Sequence, residues 1–307
     1  MNQPRSKKVD VHGWIVLDKD FDQTSTHAVS QVRRLFNAKK GGHAGTLDPR
    51  ATGILPIALG EATKTVPFVM DGRKTYRFTV AWGAETATDD TEGEVTARSD
   101  LRPTREAVEA LLPRYTGTIM QVPPKFSAIK VDGERAYDLA RDGEEVTLEA
   151  RPITVESLRL TAFSQDAAEF EAECGKGTYV RAIARDIGRD LACLGHVTAL
   201  RRTRVGPFGE DDTVTLEELR ELAEGRISGQ AIEDALLPVE AALADVPEVK
   251  VTRDIAARLM RGQSSILRGR DAPVEGPAWA SAGGEPIALC EVERGELVPK
   301  RVFVFAS

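Results

Sequence analysis

The chain has 307 residues, which is long enough for one large domain and a small one. Its hydrophobic content of 41% is ordinary for a soluble globular protein. No apolar run approaches the roughly 18 residues that cross a bilayer, and no signal-peptide stretch follows the basic start. We therefore expect a cytoplasmic protein with no membrane partner. The cysteines, Cys174, Cys193 and Cys290, lie far apart without paired spacing, which argues against disulfides and against a metal site.

The formal net charge of −7 argues against a general nucleic-acid binder, because such proteins usually carry a basic surface. The basic residues are nevertheless clustered, at Arg33, Arg34, Lys39 and Lys40 and again at Arg201, Arg202 and Arg204. The acidic residues concentrate elsewhere, in 85–94 and 217–224. This distribution is compatible with a local basic cleft that favours a folded partner, and each cluster also fits an ordinary solvated face.

The first predicted elements are a strand over residues 13–18 and an amphipathic helix. Thr24, Ser25 and Thr26 are candidate N-caps for this helix, which we expect to run to Ala38 and to stop before Gly41-Gly42.

The next segment places one carboxylate, Asp48, in a loop rich in Gly and Pro before the apolar run 54–59. Gly45 and Gly53 permit unusual backbone angles, and Pro49 biases Asp48 towards extended geometry, so Asp48 should project from a fixed turn. A carboxylate held in this way can act as a nucleophile or a base. Taken alone, Asp48-Pro49 also fits a simple turn.

The rest of the chain alternates strand and helix patterns. We expect strands at 76–82, 153–161, 169–174, around 199–201, 286–292 and 297–305, and helices at 104–112, 137–141, 179–194, within 215–237 and at 253–261. The helix at 179–194 carries Arg181, Arg185 and Arg189 on one face, and Gly195 is its natural C-cap. Thr252 is the candidate N-cap of the helix at 253–261.

The pattern His43-x-Gly45-x-Leu47-Asp48-Pro49-x-Ala51-x-Gly53 closely resembles the catalytic motif of the TruB family of pseudouridine synthases. Further blocks follow in the order of that family: Gly60-Glu61-Ala62-Thr63-Lys64, Lys74-Thr75-Tyr76, Pro123-Pro124-Lys125-Phe126-Ser127-Ala128-Ile129-Lys130, Arg135-Ala136-Tyr137-Asp138-Leu139-Ala140-Arg141, Gly177-Thr178-Tyr179-Val180-Arg181 and Leu200-Arg201-Arg202-Thr203. One segment departs from the family, which usually has Asp-Lys-Pro-x-Gly-x-Thr-Ser where this chain has Asp18-Lys19-Asp20-Phe21-Asp22-Gln23-Thr24-Ser25. This departure leaves the shape of an RNA-facing turn open.

The resemblance implies an α+β pseudouridine synthase fold, with a mixed, mainly antiparallel central sheet flanked by helices. It implies a catalytic domain over 1–245 with an RNA-gripping insertion at about 123–151. The tail at 246–307 resembles, by pattern and position, the small RNA-binding barrel called PUA. The family needs no metal and no cofactor.

The resemblance also implies the chemistry, in which Asp48 acts while the glycosidic bond of the T-loop uridine of tRNA, at position 55, is broken and re-formed through C5. Arg181 would hold the carboxylate with a two-pronged guanidinium, and Tyr76 would stack on the flipped base. Attack on the sugar, attack on the base and elimination all remain open as routes. Without the resemblance, Arg181 fits a surface helix and Tyr76 fits a core strand.

The implied substrate contacts come from residues of the matching blocks. They are His43, Tyr179, Leu200, Lys19, Lys64, Lys130, Arg201 and Arg202. The expected partner is the T arm of tRNA, without DNA or guide RNA, and a monomer is expected. Two alternatives stay open: a tRNA-folding chaperone with this fold, and a guide-RNA-dependent relative that works in a multi-protein particle.

Overall fold

The computed structural model describes residues 7–127, 130–131, 134–135, 148–267 and 275–305, with backbone only at 130–131 and 134–135. The helix expected at 137–141 and the side chain of Lys130 lie outside the described residues. No helix within these ranges combines the length and apolar character that a bilayer crossing requires.

The helices lie close to where the sequence predicts them. They are α1 (Ser25–Leu35), α2 (Val66–Asp71), α3 (Arg105–Leu111), α4 (Val180–Asp190), α5 (Leu216–Ala223) and α6 (Arg253–Met260). Short 3-10 helices cover Gly60–Lys64, Leu112–Tyr115, Glu210–Asp212, Ile232–Ala235 and Val239–Leu243. Thr24, Thr104, Thr215 and Thr252 each accept a hydrogen bond from the first turn of the helix that follows, as N-caps do.

The strands in chain order form two main sheets and two hairpins. They are β1 (Gly13–Lys19), β2 (Gly41–His43), β3 (Thr52–Leu59), β4 (Lys74–Trp82), β5 (Ala84–Thr86), β6 (Val95–Arg98), β7 (Gly117–Gln121), β8 (Lys130–Val131), β9 (Glu134–Arg135), β10 (Arg151–Phe163), β11 (Ala167–Cys174), β12 (Gly195–Val205), β13 (Phe208–Gly209), β14 (Glu248–Lys250), β15 (Ser265–Ile266), β16 (Gly276–Ala282), β17 (Glu285–Glu293) and β18 (Glu296–Val302).

The central sheet has nine strands within the described residues, in the order β1-β3-β12-β4-β11-β10-β7, with β2 beside β3 and β13 beside β12. The pairing of β12 with β3 is parallel and the others are antiparallel, which confirms the expected mixed, mainly antiparallel sheet. Alternate residues of β4, Phe78, Val80 and Trp82, are buried in a core that Ile183 and Ile187 of α4 complete. The sheet and α4 thus form one packed unit.

Two helix ends differ from the prediction. Helix α4 ends at Asp190, and the chain reverses through Ala192 and Leu194, which both have φ of 57°. Gly195 is therefore the first residue of β12, and the prediction that it caps the helix is wrong. Its lack of a side chain serves close packing, since a Cβ there would lie 3.0 Å from Val80. Helix α1 likewise ends early, at Leu35, and Asn37 with φ of 49° makes the turn.

The tail forms a second sheet, in the order β14-β16-β17-β18-β15, with its own apolar cluster around α6. It is not packed only against itself. Trp279, Leu289 and Phe303 belong to the same buried cluster as Trp14 of β1. The sheet of the tail is therefore joined to the central sheet through a continuous core.

This shared core predicts that the tail contributes to the stability of the whole chain. Phe303 is 2% exposed and its neighbour Val304 is 63% exposed. We expect Phe303→Ala to lower the free energy of unfolding by about 3–5 kcal/mol, because a buried aromatic leaves a cavity. Val304→Ala is the control and should cost less than about 0.5 kcal/mol. Urea unfolding followed by tryptophan fluorescence measures both, and equal stabilities for the two variants would contradict the shared core.

Candidate active site

The loop that carries Asp48 has little regular structure and is held by hydrogen bonds from α1 and β3 and by a turn of its own. Leu47 is bound on both sides by Ser25 at the start of α1, since its N–H donates to Ser25 Oγ and its carbonyl accepts from the same hydroxyl, each at 3.0 Å. Ala44 N–H donates to Pro56 O at 2.9 Å, and Ala51 N–H closes a turn onto Asp48 O at 3.0 Å. Asp48 therefore projects from a fixed turn, as the sequence predicts.

Arg202 of β12 anchors this loop from the sheet side. Its side chain is buried, and its three nitrogens donate to Ile54 O at 2.8 Å, Thr46 O at 3.2 Å and Gly45 O at 3.2 Å. Gly53 lies directly opposite Arg202 in the parallel pairing, with φ of 99°, and a Cβ there would lie 2.2 Å from Arg202 O. Only glycine fits this close approach.

The turn that departs from the family pattern supports the loop from a third side. Asp22, which replaces the family's Gly, has φ of 62°, and Asp is among the residues that tolerate this conformation best. Its N–H donates to Pro49 O at 2.8 Å, and buried Lys19 Nζ donates to the same carbonyl at 3.3 Å and to Asp20 O at 2.8 Å. The altered turn therefore still packs against the residue that follows Asp48.

Asp48 is paired with Arg181, the second residue of α4, as the resemblance implies. Arg181 Nε donates to Asp48 Oδ2 at 2.7 Å, and the side chains of Arg181 and Asp48 are 7% and 34% exposed. The expected two-pronged contact is not formed, because the other nitrogens bind Thr88 O at 2.8 Å and Phe126 O at 3.0 Å. One buried guanidinium thus joins the Asp48 loop to two other loops, and the carboxylate remains accessible.

The acids of residues 85–94 are not remote from the site, and the sequence interpretation on this point is wrong. Arg181, Arg185 and Arg189 share one face of α4, and each meets an acid of this segment. Arg181 Nε lies 3.7 Å from Asp90 Oδ2, Arg185 Nη1 lies 3.2 Å from Asp89 Oδ2, and Arg189 holds both oxygens of Glu85 at 2.6 and 2.8 Å. The spacing of four between the arginines was the sequence signal for this face.

Asp89 and Asp90 are functional candidates that sequence reasoning missed. Burial raises the pKa of Asp89 to about 6, although the charge of Arg185 opposes the change. Asp90 Oδ1 accepts from Glu92 N at 2.9 Å, which fixes the carboxylate beside Arg181. Both acids follow a short strand in a polar loop, a context that the sequence alone does not distinguish from a solvated turn.

A narrow cavity opens at the Asp48–Arg181 pair. Its lining residues are Asp48, Arg50, Ala51, Asp90, Thr91, Arg181, Val197, Thr198, Ala199 and Leu200. Of the residues predicted to contact substrate, Leu200 therefore reaches the cavity wall. Tyr76, His43 and Tyr179 are not among the lining residues.

Tyr76 and His43 lie near the buried charge of Arg202. Tyr76 is opposite Arg202 in the pairing of β4 with β12, and burial raises the pKa of its phenol, while Arg202 opposes this change. His43 pairs with Ile57 beside the Asp48 loop, and burial, followed by the charge of Arg202, lowers its pKa. A neutral imidazole is thus favoured at neutral pH.

Tyr179 is the N-cap residue of α4 and is held by backbone contacts. Its N–H donates to Gln121 Oε1 at 2.9 Å, its carbonyl accepts from Gln121 Nε2 at 3.1 Å, and the guanidinium of Arg151 lies 5.5 Å from the centre of its ring. These contacts connect the start of α4 to the end of β7.

The basic residues predicted to bind RNA are engaged with protein groups. Arg201 makes a two-pronged contact with Asp18 at 2.9 and 2.8 Å and donates to Glu210 at 2.7 Å. Lys64 donates to Val302 O at 2.7 Å and pairs with Glu61. Arg202 and Lys19 are buried against the Asp48 loop, so their geometry fits support of that loop rather than contact with phosphates.

Solved structures with the same architecture define the class of fold. An archaeal complex titled box H/ACA sRNP Nop10–Cbf5 has a TM-score of 0.71 at 23% identity, covering 95% of this chain and 86% of that chain. A structure titled as an H/ACA RNP bound to a substrate RNA containing 2'-deoxyuridine has a TM-score of 0.72 at 22% identity, covering 95% and 85%. The chain has the pseudouridine synthase fold.

Sequence comparisons identify the family within that class. Residues 33–180 match the model of the TruB family pseudouridylate synthase N-terminal domain, and residues 181–244 match that of the tRNA pseudouridylate synthase B C-terminal domain. Proteins named tRNA pseudouridine synthase B are 62% identical in Bradyrhizobium diazoefficiens, over 98% of this chain and 88% of that protein, and 55% identical in Sinorhizobium medicae, over 99% of both. The chain belongs to the TruB family.

The burial of Arg202 predicts a structural effect when it is replaced. We expect Arg202→Gln to lower the free energy of unfolding by about 2–5 kcal/mol, because the carbonyls of Gly45, Thr46 and Ile54 lose their buried donors. Arg204→Gln is the matched control, since the side chain of Arg204 is exposed and, among the side-chain hydrogen bonds of the described residues, donates only to Gly206 O at 3.0 Å. Chemical unfolding of both variants measures the difference, and an Arg202→Gln protein as stable as the control would contradict the anchoring role.

The environment of Lys19 predicts a pH dependence. Burial, reinforced by the charge of Arg202, lowers the pKa of Lys19 to about 8, although nearby carboxylates, first among them Asp48, oppose the change. Between about pH 8 and pH 10.4 the unfolded lysine binds a proton that the folded one has lost, so the free energy of unfolding rises with pH. Relative to Lys19→Met, the wild-type protein should gain up to about 3 kcal/mol across this window. Urea titrations at several pH values test this, and a constant difference would contradict it.

Proposed function

We propose that this protein isomerises the T-loop uridine of tRNA, at position 55, to pseudouridine, with Asp48 as the reacting carboxylate. The observation that carries this proposal is the pair formed by the accessible carboxylate of Asp48 and the buried guanidinium of Arg181, 2.7 Å apart on a fixed loop. The names of the relatives, tRNA pseudouridine synthase B, support tRNA as the substrate.

The reaction rearranges bonds within one nucleotide and needs no external group. The bond from ribose C1′ to uracil N1 breaks, the base turns, C5 joins C1′, and the proton that C5 loses is replaced at N1. A positioned carboxylate can serve by attacking the sugar or the base or by assisting elimination at the sugar. Arg181 fixes Oδ2 of Asp48, and the loop contacts fix its backbone, so the carboxylate is preorganised for any of these routes.

The substrate base is stacked within a folded RNA loop and must be swung out to reach Asp48. Leu200 of the cavity wall, together with Tyr76, Tyr179 and His43, is the set we propose to receive it. Tyr76 is the stacking partner in this proposal, because its ring is partly buried on the face of β4 that also carries Phe78. Hydrogen bonds from the side chains of Ser25, Lys19 and Arg202 to backbone carbonyls hold the Asp48 loop in place.

We further propose two functional parts, a catalytic domain over 1–245 with the insertion at about 123–151, and a PUA-like RNA-binding domain over 246–307. The match to the family models ends at residue 244, and the second sheet begins at Glu248, which supports this boundary. Lys64, Lys130 and Arg201 remain candidates for contacts with the T arm.

Incubation of the purified protein alone with an unmodified tRNA transcript, followed by mapping of pseudouridine, tests the proposal. We expect pseudouridine at the T-loop uridine without any guide RNA or second protein. If no pseudouridine formed but the protein bound tRNA and made it fold more rapidly than it does alone, the chaperone alternative would be favoured instead. Modification only after a guide RNA is added would favour the guide-dependent alternative.

Replacement of Asp48 tests its chemical role. We expect Asp48→Asn to reduce the rate of isomerisation about 100- to 10,000-fold, because the amide keeps the shape of the side chain but cannot act as a base or nucleophile. Affinity for tRNA should stay within a few fold. Tritium release from C5-labelled uridine measures turnover, and Asp22→Asn is the control because Asp22 is exposed and Asn also tolerates its backbone angle. Near wild-type turnover by folded Asp48→Asn protein would remove Asp48 from the mechanism.

Replacement of Arg181 tests the shared guanidinium. Arg181→Lys should lower kcat about 100-fold, because one ammonium cannot reach Asp48, Thr88 O and Phe126 O at once and the carboxylate would shift. Arg189→Lys is the control, since Arg189 lies on the same face of α4, pairs with Glu85 and is about half exposed. If single-turnover rates of the two lysine variants were equal, the pairing of Arg181 with Asp48 would have no catalytic role.

A further inference from the structure

A second and larger depression adjoins the Asp48 cavity. It has a volume of about 400 Å³ and lies over β4, β11 and β12. It shares Arg50, Thr198, Ala199 and Leu200 with the cavity at Asp48. The two depressions are therefore continuous, and a ligand chain that places one group at Asp48 can place its neighbour in this groove.

The lining of the groove combines threonine hydroxyls with an equal number of charged side chains, which are those of Arg50, Arg77, Glu169 and Arg201. Thr52, Thr79, Thr161 and Thr198 line it together with Phe21 and Arg50. Thr198 occupies a β-bulge, because the pairing of β12 with β4 shifts register between Val197 and Ala199, and such bulges redirect side chains beside active sites. Hydroxyl groups can both donate to and accept from the polar edge of a nucleobase.

Phe21 and Arg50 stand at the junction of the groove and the Asp48 loop. Phe21 is 49% exposed at the tip of the altered turn, and the guanidinium of Arg50 lies 5.2 Å from the centre of its ring. Asp22 N–H fixes the turn by its bond to Pro49 O at 2.8 Å. Phe21 and Arg50 occupy positions at which the family pattern specifies no residue, so membership of the family does not account for this pair.

We propose that this groove binds the base of the nucleotide next to the target uridine, stacked on Phe21 and oriented by the threonine hydroxyls. The inference rests on the proposed function, because it takes an unstacked RNA loop as the ligand. The arginines of the lining are paired with carboxylates, since Arg77 lies 3.3 Å from Glu171, Arg201 lies 2.8 Å from Asp18 and Arg50 lies 3.8 Å from Asp22. Because Glu169 adds a further negative charge to the lining, the groove favours a neutral base over a second phosphate. An exposed aromatic ring beside an arginine is a platform that stacks bases without requiring a particular sequence.

Binding measurements with full-length Asp48→Asn protein test the groove without turnover. The probe is a synthetic T-arm stem-loop, intact or with an abasic nucleotide on the 5′ or the 3′ side of the target uridine. Phe21→Ala should weaken binding of the intact loop about 10-fold, within the range expected for loss of one base stack. An abasic nucleotide at one of the two positions should weaken binding to a protein with Phe21 by a similar factor.

The combination of the two changes decides the proposal. If the missing base is the one that stacks on Phe21, the abasic loop should bind Phe21→Ala and Phe21 proteins with the same affinity. Phe21→Tyr should keep the affinity for the intact loop. Additive losses at both positions, or no loss for Phe21→Ala, would overturn the proposal.

A matched control separates stacking from general packing. Phe163 is another partly exposed phenylalanine under an arginine, with the guanidinium of Arg105 at 5.7 Å from its ring centre. Phe163→Ala should leave the affinity for every loop within about 2-fold, since it lies outside the groove lining. In parallel, pseudouridine formation on the intact RNA loop is measured with the wild-type protein, which retains Asp48. Its absence would refute the proposed function, whereas the coupling between Phe21 and the missing base reports on the groove alone.

Discussion

The guanidinium of Arg202 is the contact on which the geometry of the site depends. It lies inside the protein, where an unpaired charge or carbonyl is costly, and it binds two carbonyls of the Asp48 loop, those of Gly45 and Thr46, together with Ile54 O of β3. The parallel pairing of β12 with β3 sets Arg202 opposite Gly53, so the sheet itself determines where the loop begins and ends. These contacts set the position of the Asp48 backbone, and the hydrogen bond from Arg181 orients the Asp48 side chain.

Helix α4 connects the loop of Asp48 to the rest of the molecule. Arg181 binds Phe126 O and Arg185 binds Val122 O at 2.8 Å, which ties the segment that follows β7 to the same helix that holds Asp48. On its other side the helix packs into the apolar core through Ile183 and Ile187. A single element therefore divides its circumference between hydrophobic packing and a charged face whose partners lie in loops and in the short strand β5.

Local patterns in the sequence predict much of this structure. The alternation in β4, the N-caps and the Gly- and Pro-rich loop around Asp48 follow from neighbouring residues, and the resemblance adds the partner of Asp48. The burial of Arg202 could not be predicted in this way, because it depends on contacts with Gly45 and Ile54, about 150 positions away in the chain. The same holds for the acids at 85–90, which look solvated until α4 is packed against them. The reversal after α4 uses Ala192 and Leu194, residues with no preference for left-handed geometry.

The core shared by Trp14, Trp279 and Phe303 has a consequence for how an RNA is selected. The sheet of the tail cannot rotate relative to the Asp48 loop without unpacking these rings, and the bonds from Lys64 to Val302 O and from Val304 N–H to Glu61 add a second attachment. The sheet of the tail and the Asp48 loop are therefore held at a fixed distance from each other. An RNA that touches both must hold its own contact points at that spacing, so folded shape becomes a criterion of recognition even where no base is read.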